Sequence, residues 1–142
     1  MKRMLGIDSG DARVGVAISD ELGFMAHPLE TIHVKQMPAL QRIRELVIER
    51  EIETVVVGLP RNMDGSHGPA SEKAAAFAAE LRATLPCKVV TWDERLTTVS
   101  AQRSLQEAGR KAKEQKHIID QAAAQVILQS WLDAQAGGLS SL

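Results

Sequence analysis

The sequence predicts an α/β fold: a mixed five-stranded sheet, an antiparallel meander followed by parallel strands, flanked by helices. Three observations lead there. Val14, Val16 and Ile18 alternate with Arg13, Gly15, Ala17 and Ser19, the period of a strand with two unlike faces. Thr54-Val55-Val56-Val57-Gly58 is apolar and β-branched throughout, as a strand covered on both faces requires. Segments with helical spacing separate the later strands, and such alternation implies parallel crossovers.

The elements follow in order. Met4-Leu5-Gly6-Ile7 is a short apolar run that ends at Asp8. Asp8 to Ala12 holds turn residues, so the first two strands read as an antiparallel hairpin. Asp20-Glu21-Leu22-Gly23 is a second turn, and a third strand is expected from Met25 to His33. After Pro38, Leu40, Ile43, Leu46 and Val47 recur at helical spacing. Leu59 to Gly68 is a loop rich in Pro, Asn, Asp and Gly. Pro69 opens the next helix, whose apolar face is read as Ala70, Ala74, Phe77, Ala78 and Leu81, and Pro86 closes it. Lys88 to Trp92 is another strand, ending at Asp93 and Glu94. A helix from about Thr98 to Ala108, a charged segment and a last helix from about His117 to Ala134 complete the chain. The tail, Ala136 to Leu142, reads as loose.

Composition bounds the function. The 142 residues, 44% hydrophobic and 25% charged, suit one globular domain spanning the chain. Seventeen Lys and Arg stand against 18 Asp and Glu, which argues against coating nucleic acid by bulk charge but not against a local basic patch. Aromatic residues are 3%, with no Tyr, so a base-stacking platform is nearly unattainable. Any nucleic acid would be gripped by backbone and shape. No apolar stretch is long enough to span a bilayer, and the apolar run at the start ends at Asp8, too early for a secretory signal. One cysteine, Cys87, permits no internal disulfide, which suits a reducing cytoplasm.

Three acids stand out. Asp8 follows the first strand, and Glu94 lies just past the last. Asp120 is on the final helix. At about 100° per residue it falls inside the apolar arc of Ile119, Ala123, Val126, Ile127 and Trp131, while Gln121, Gln125 and Gln129 mark the opposite, solvent face. Taken singly, each acid has an ordinary explanation: Asp120 favours a helix N-terminus, Asp8 begins a turn, Glu94 pairs with Arg95. Jointly they converge, and converging carboxylates repel unless a cation joins them. Oxygen ligands without His or Cys at suitable spacing favour Mg²⁺ or Mn²⁺ over zinc. The histidines His27, His33, His67 and His117 show no ligand spacing. Cys87, Trp92 and Trp131 read as packing residues.

Four blocks then carry a resemblance. GIDSGDARVGVAISD, GLPRNMDGSHGPASEKAAAFAAEL, DERLTT and IIDQAAAQVILQSWLD resemble the YqgF (RuvX) family from Leu5 to Asp133. The resemblance implies an RNase H-like fold related to the RuvC junction resolvases. It also implies a nuclease on structured nucleic acid: the 5′ end of precursor 16S rRNA first, four-way DNA junctions second. It implies that Asp8, Glu94 and Asp120 are catalytic, metal-binding carboxylates for Mg²⁺ or Mn²⁺, and so sharpens the choice among the acids. Asp93 is kept in reserve because neighbouring strand residues point to opposite faces. Family members commonly carry a basic residue where this chain has Ala12, so one phosphate contact is expected to be missing. Arg13, Arg61, Asn62 and Arg95 sit in or beside the motif loops, and Arg110, Lys111, Lys113 and Lys116 form the densest basic cluster. All are candidate nucleic-acid contacts. The expected partners are structured RNA, branched DNA and ribosomal particles, with the protein a monomer or homodimer. Two other readings compete. A small ATPase is disfavoured because Val16-Ala17 replace the Lys-Ser/Thr of a phosphate loop. A catalytically silent RNA-binding module is disfavoured by the retained acids.

Overall fold

The computed structural model describes residues 3–62, 64–96 and 116–136. Its sheet is built from β1 (Arg3–Ser9), β2 (Arg13–Ser19), β3 (Ala26–His33), β4 (Ile52–Leu59) and β5 (Lys88–Asp93). The strand order is β3-β2-β1-β4-β5, with β1–β2 and β2–β3 antiparallel and β1–β4 and β4–β5 parallel. This is the meander-then-parallel sheet that the sequence predicts. Helices α1 (Ala39–Glu49) and α2 (Pro69–Thr84) supply the crossovers, and α3 (Lys116–Ala136) follows later in the chain. A 3₁₀ turn, Glu94–Leu96, continues directly from β5. The helix expected from about Thr98 to Ala108 lies outside the described residues, as do Arg110, Lys111, Lys113 and residues 137–142 of the tail.

Alternation along β1 and β2 sorts side chains to two cores. On one face Leu5, Ile7, Val14, Val16, Val55 and Val57 pack with Ile43, Leu46 and Val47 of α1 and Ala78 and Leu81 of α2. Ala70, expected on the apolar face of α2, is exposed, while Ser71 is fully buried in its place. The helix begins at Pro69, and His67 just before it meets Ser71, with Nδ1 to Oγ 2.5 Å apart. Cys87 packs at the margin of this core. Arg42 of α1 donates from Nε and Nη2 to both carboxylate oxygens of Glu30 on β3, each at 2.9 Å, tying the helix to the edge strand.

The other face carries α3, which packs on β1, β2, β3 and β4. Its core is Ala17, Val56, Ala124, Ile127, Leu128 and Leu132, with Trp92 and Trp131 at the margin. Small residues on the strands let the helix come close. A Cβ on Gly6 would stand 2.6 Å from Leu128 Cβ, a contact that real side chains do not make.

The glutamines of α3 depart from expectation. Gln121, Gln125 and Gln129 are half-buried, not solvent-facing. The Gln129 carboxamide accepts from Ala26 N at 2.8 Å, Gln125 Nε2 donates to Ala26 O at 2.9 Å, and Gln121 Nε2 donates to Thr31 Oγ1 at 3.2 Å. Strand β3 is a sheet edge, so its outward backbone groups lack a strand partner. A carboxamide both donates and accepts, and is long enough to reach that edge from a helix lying beside it.

Candidate active site

The site grows from the C-terminal end of β1. Asp8 is in register with Gly15 of β2, and Gly58 of β4 lies one step beyond the Ile7–Val57 pair on its other side. Asp8 shares the strand face of Gly6, two residues earlier, and so points toward α3. Glycine on both flanks opens the sheet surface around it. At Gly15 the space that a Cβ would take is filled by the Asp120 backbone carbonyl. At Gly58 it is filled by the Ile127 side chain, with Glu94 Oε2 at 3.2 Å. Two glycines thus seat the start of α3 and the Glu94 carboxylate beside Asp8.

Burial and like charge act together here. Asp8 has its carboxyl pushed up to about 7, first by burial, then by the negative charges of Glu94 and Asp120. The Glu94 carboxyl is also raised, by burial and then by Asp93. Asp120 has Arg13 Nε 3.1 Å from its Oδ2, an ion pair joining α3 to the start of β2. The three acids singled out in the sequence are therefore brought into one electrostatic neighbourhood. Among the described residues no three His, Cys, Asp or Glu side chains close to metal-holding distance. By chemistry the donor set fits a hard divalent cation: three carboxylates, two of them raised by burial, and no imidazole or thiol.

The basic residues divide. Arg13 is on the site, against Asp120. Arg61 and Arg95 converge on Asp93, the last residue of β5. Arg95 pairs with Asp93, the acid kept in reserve, with Nη2 2.7 Å from its Oδ2. Asn62 is exposed in the loop after β4 and donates from Nδ2 to Ser66 Oγ at 3.0 Å. Lys116 is the first residue of α3. The pairing of Gly15 with Gly58 is not singled out from sequence, its signal being a glycine within each of two strand patterns, whereas Asp93 is the acid that the sequence keeps in reserve.

The comparisons agree with this architecture. The chain matches the family described as RuvX: Holliday junction resolvase over residues 2–134. A Halalkalibacterium halodurans protein named "Putative pre-16S rRNA nuclease" is 48% identical over 136 residues, 94% of this chain and 97% of that protein. A Listeria monocytogenes protein of the same name is 48% identical over 134 residues, 92% of this chain and 97% of its own. Among solved structures, Thermus thermophilus RuvC in complex with a Holliday junction substrate aligns at TM-score 0.58 and 17% identity, covering 95% of this chain and 96% of that one. The fowlpox virus Holliday junction resolvase aligns at TM-score 0.54 and 12% identity, covering 93% and 99%. At such identities the structures speak to the fold alone, and it is RNase H-like. No helix among the described residues is long and apolar enough to cross a membrane. With the family pattern running through nearly every element of the sheet and through both ends of the acid site, the chain belongs to the RuvX family of nucleases.

Proposed function

We propose that this protein is a divalent-metal-dependent endonuclease on structured nucleic acid, whose main substrate is the 5′ end of precursor 16S rRNA. The observation that carries it is the Asp8 carboxyl held near 7 between Glu94 and Asp120, a buried cluster of like charge that a cation relieves. Asp8, Glu94 and Asp120 would hold Mg²⁺ or Mn²⁺. When bound, such an ion supplies an activated water and stabilises charge on the leaving oxygen in phosphodiester hydrolysis. The chain's own residues supply the setting. Gly15 and Gly58 seat the acids, and Arg13 beside Asp120 offers a guanidinium to a phosphate entering the site. The names of the close relatives support the ribosomal substrate. The family description favours a second reading, cleavage of four-way DNA junctions.

The test is a cleavage assay on the purified full chain, with Mg²⁺, Mn²⁺ or EDTA. The substrates are a precursor 16S rRNA 5′ fragment and a four-way DNA junction, with Asp8→Asn as control. Cutting of the RNA that needs metal and is lost in the variant is expected. Preferential cutting of the junction would replace the first substrate by the second. Cutting that survives EDTA or Asp8→Asn would overturn the site.

A further inference from the structure

We propose that Asp93 is a positioning residue that holds Arg61 and Arg95 together as a paired guanidinium grip for the phosphate backbone of the nucleic acid. The inference rests on the nuclease reading and names how that same site takes hold of its substrate.

Arg61 comes from the loop after β4 and Arg95 from the 3₁₀ turn after β5, 34 residues apart in sequence, and they meet because β4 and β5 are neighbours in the sheet. Asp93 ends β5, in register with Leu59 at the end of β4. One carboxylate serves both. It accepts from Arg95 backbone N at 2.9 Å, from Arg95 Nη2 at 2.7 Å and from Arg95 Nε at 3.1 Å, and Arg61 Nη1 stands 3.5 Å from its Oδ2. The loop between them completes the frame. Arg61 Nη2 donates to the Gly65 carbonyl, and a Cβ on Gly65 would stand 3.3 Å from Arg95 Nη1. Gly65 also has a φ of +89°, which favours glycine, so the loop closes over the pair at a residue without a side chain.

Two guanidinium groups brought together repel each other, and a shared carboxylate offsets that repulsion while fixing both side chains. A guanidinium has five N–H donors, and Asp93 and Gly65 engage only part of each set. The carboxylate is 17% exposed, against 29% for Arg61 and 39% for Arg95, so the arginines lie outward of the acid that holds them. Arg95 is also the residue after Glu94, so the grip adjoins the carboxylate site and does not form a distant patch.

The proposal has a sign that bulk electrostatics does not share. Asp93→Asn removes a negative charge from a surface that would meet phosphates. If charge alone mattered, the variant would bind nucleic acid more tightly. If Asp93 positions the pair, the variant binds more weakly, because both side chains lose their anchor.

The experiment is equilibrium binding of the full chain to a fluorescent precursor 16S 5′ fragment in EDTA, by anisotropy. It is run for wild type, Asp93→Asn, Arg61→Ala/Arg95→Ala, and the triple variant. Asp93→Asn is expected to raise Kd about tenfold. On the double-arginine background the same change is expected to leave Kd within about twofold, because the groups it positions are gone. With Mg²⁺, KM should rise by a larger factor than kcat changes, since uniform binding is what is lost. Tighter or unchanged binding by Asp93→Asn, or an equal loss on the double-arginine background, overturns the proposal. Should Asp93→Asn not fold, Asp93→Glu replaces it. It keeps the charge but displaces the pair by a methylene, so several-fold weaker binding is expected, and wild-type affinity overturns positioning. If wild type binds neither the RNA fragment nor a four-way junction, the nuclease reading falls and takes this inference with it. If wild type binds but Asp93→Asn binds as tightly as wild type, or loses as much on the double-arginine background, this inference alone falls.

Discussion

Asp8→Asn should stabilise the metal-free protein, and should do so only above acidic pH. The carboxyl lies near 7 in the folded chain against 3.8 for an ordinary aspartate. A raised carboxyl means the folded state prefers its protonated form. The associated stability is therefore fully present below pH 3.8 and is lost as pH rises through about 7. At about 1.4 kcal/mol per pKa unit, the interval makes a cost of about 4 kcal/mol for charged Asp8 at pH 8, and under about 1 kcal/mol at pH 4. Asparagine has nearly the same shape and no charge, so it removes the cost. The expected gain at pH 8 in EDTA is about 2–4 kcal/mol, the lower end allowing for imperfect hydrogen bonding of the buried amide. Urea unfolding of both proteins at pH 8 and pH 4.5, with EDTA throughout, measures it. A gain of the same size at both pH values, or none at pH 8, would refute the view that Asp8 is held against its own charge. Added Mg²⁺ supplies the complement: it should raise wild-type stability at pH 8 and leave Asp8→Asn nearly unchanged.

Three further outcomes follow from the same geometry. Gly15→Ala places a Cβ on the Asp120 carbonyl, so the start of α3 must move. Stability should fall by about 1–3 kcal/mol and cleavage by far more than stability alone explains, as urea unfolding and a cleavage assay on the folded fraction will show. Gln125→Ala leaves Ala26 O on β3 without its donor and should cost about 1–2 kcal/mol with cleavage nearly intact; an equal loss of cleavage would place the helix docking inside the chemistry. Arg13→Ala removes the partner of Asp120 and, on the proposed function, the guanidinium offered to phosphate, so RNA affinity should fall and the slope of log K against log salt should shrink by about one.

Much of the fold is local chemistry. The alternation of Arg13 to Ser19, the unbroken apolar run at Thr54 to Gly58, and Pro69 opening a helix at its first turn need no tertiary information, because each reflects what one segment can bury or bond. The acids near strand ends were legible for the same reason, since Asp8 and Glu94 each end an apolar run, although β1 continues through Asp8 to Ser9 because both pair with β2. The glutamines were misread because helical periodicity assumes that one face is buried and the other wet. Helix α3 lies over a sheet face and also along the β3 edge, so its polar stripe found a backbone instead of water. That one carboxylate, Asp93, meets both Arg61 and Arg95 was not legible, because sequence distance says nothing about which side chains neighbouring strands bring together.

Sequence alone determined the order of the described elements, the two faces of the meander and the carboxylates that gather at the site with arginines nearby. Tertiary structure alone decided the rest. It set Asp8 between two glycines, turned Asp120 toward Arg13, raised the Asp8 carboxyl by burying it beside two other acids, and brought Arg61 to Asp93 across neighbouring strands. The physical reason is range. Patterning and turn chemistry act within a few residues of chain, whereas desolvation and charge–charge interaction depend on what the fold places within a few ångströms.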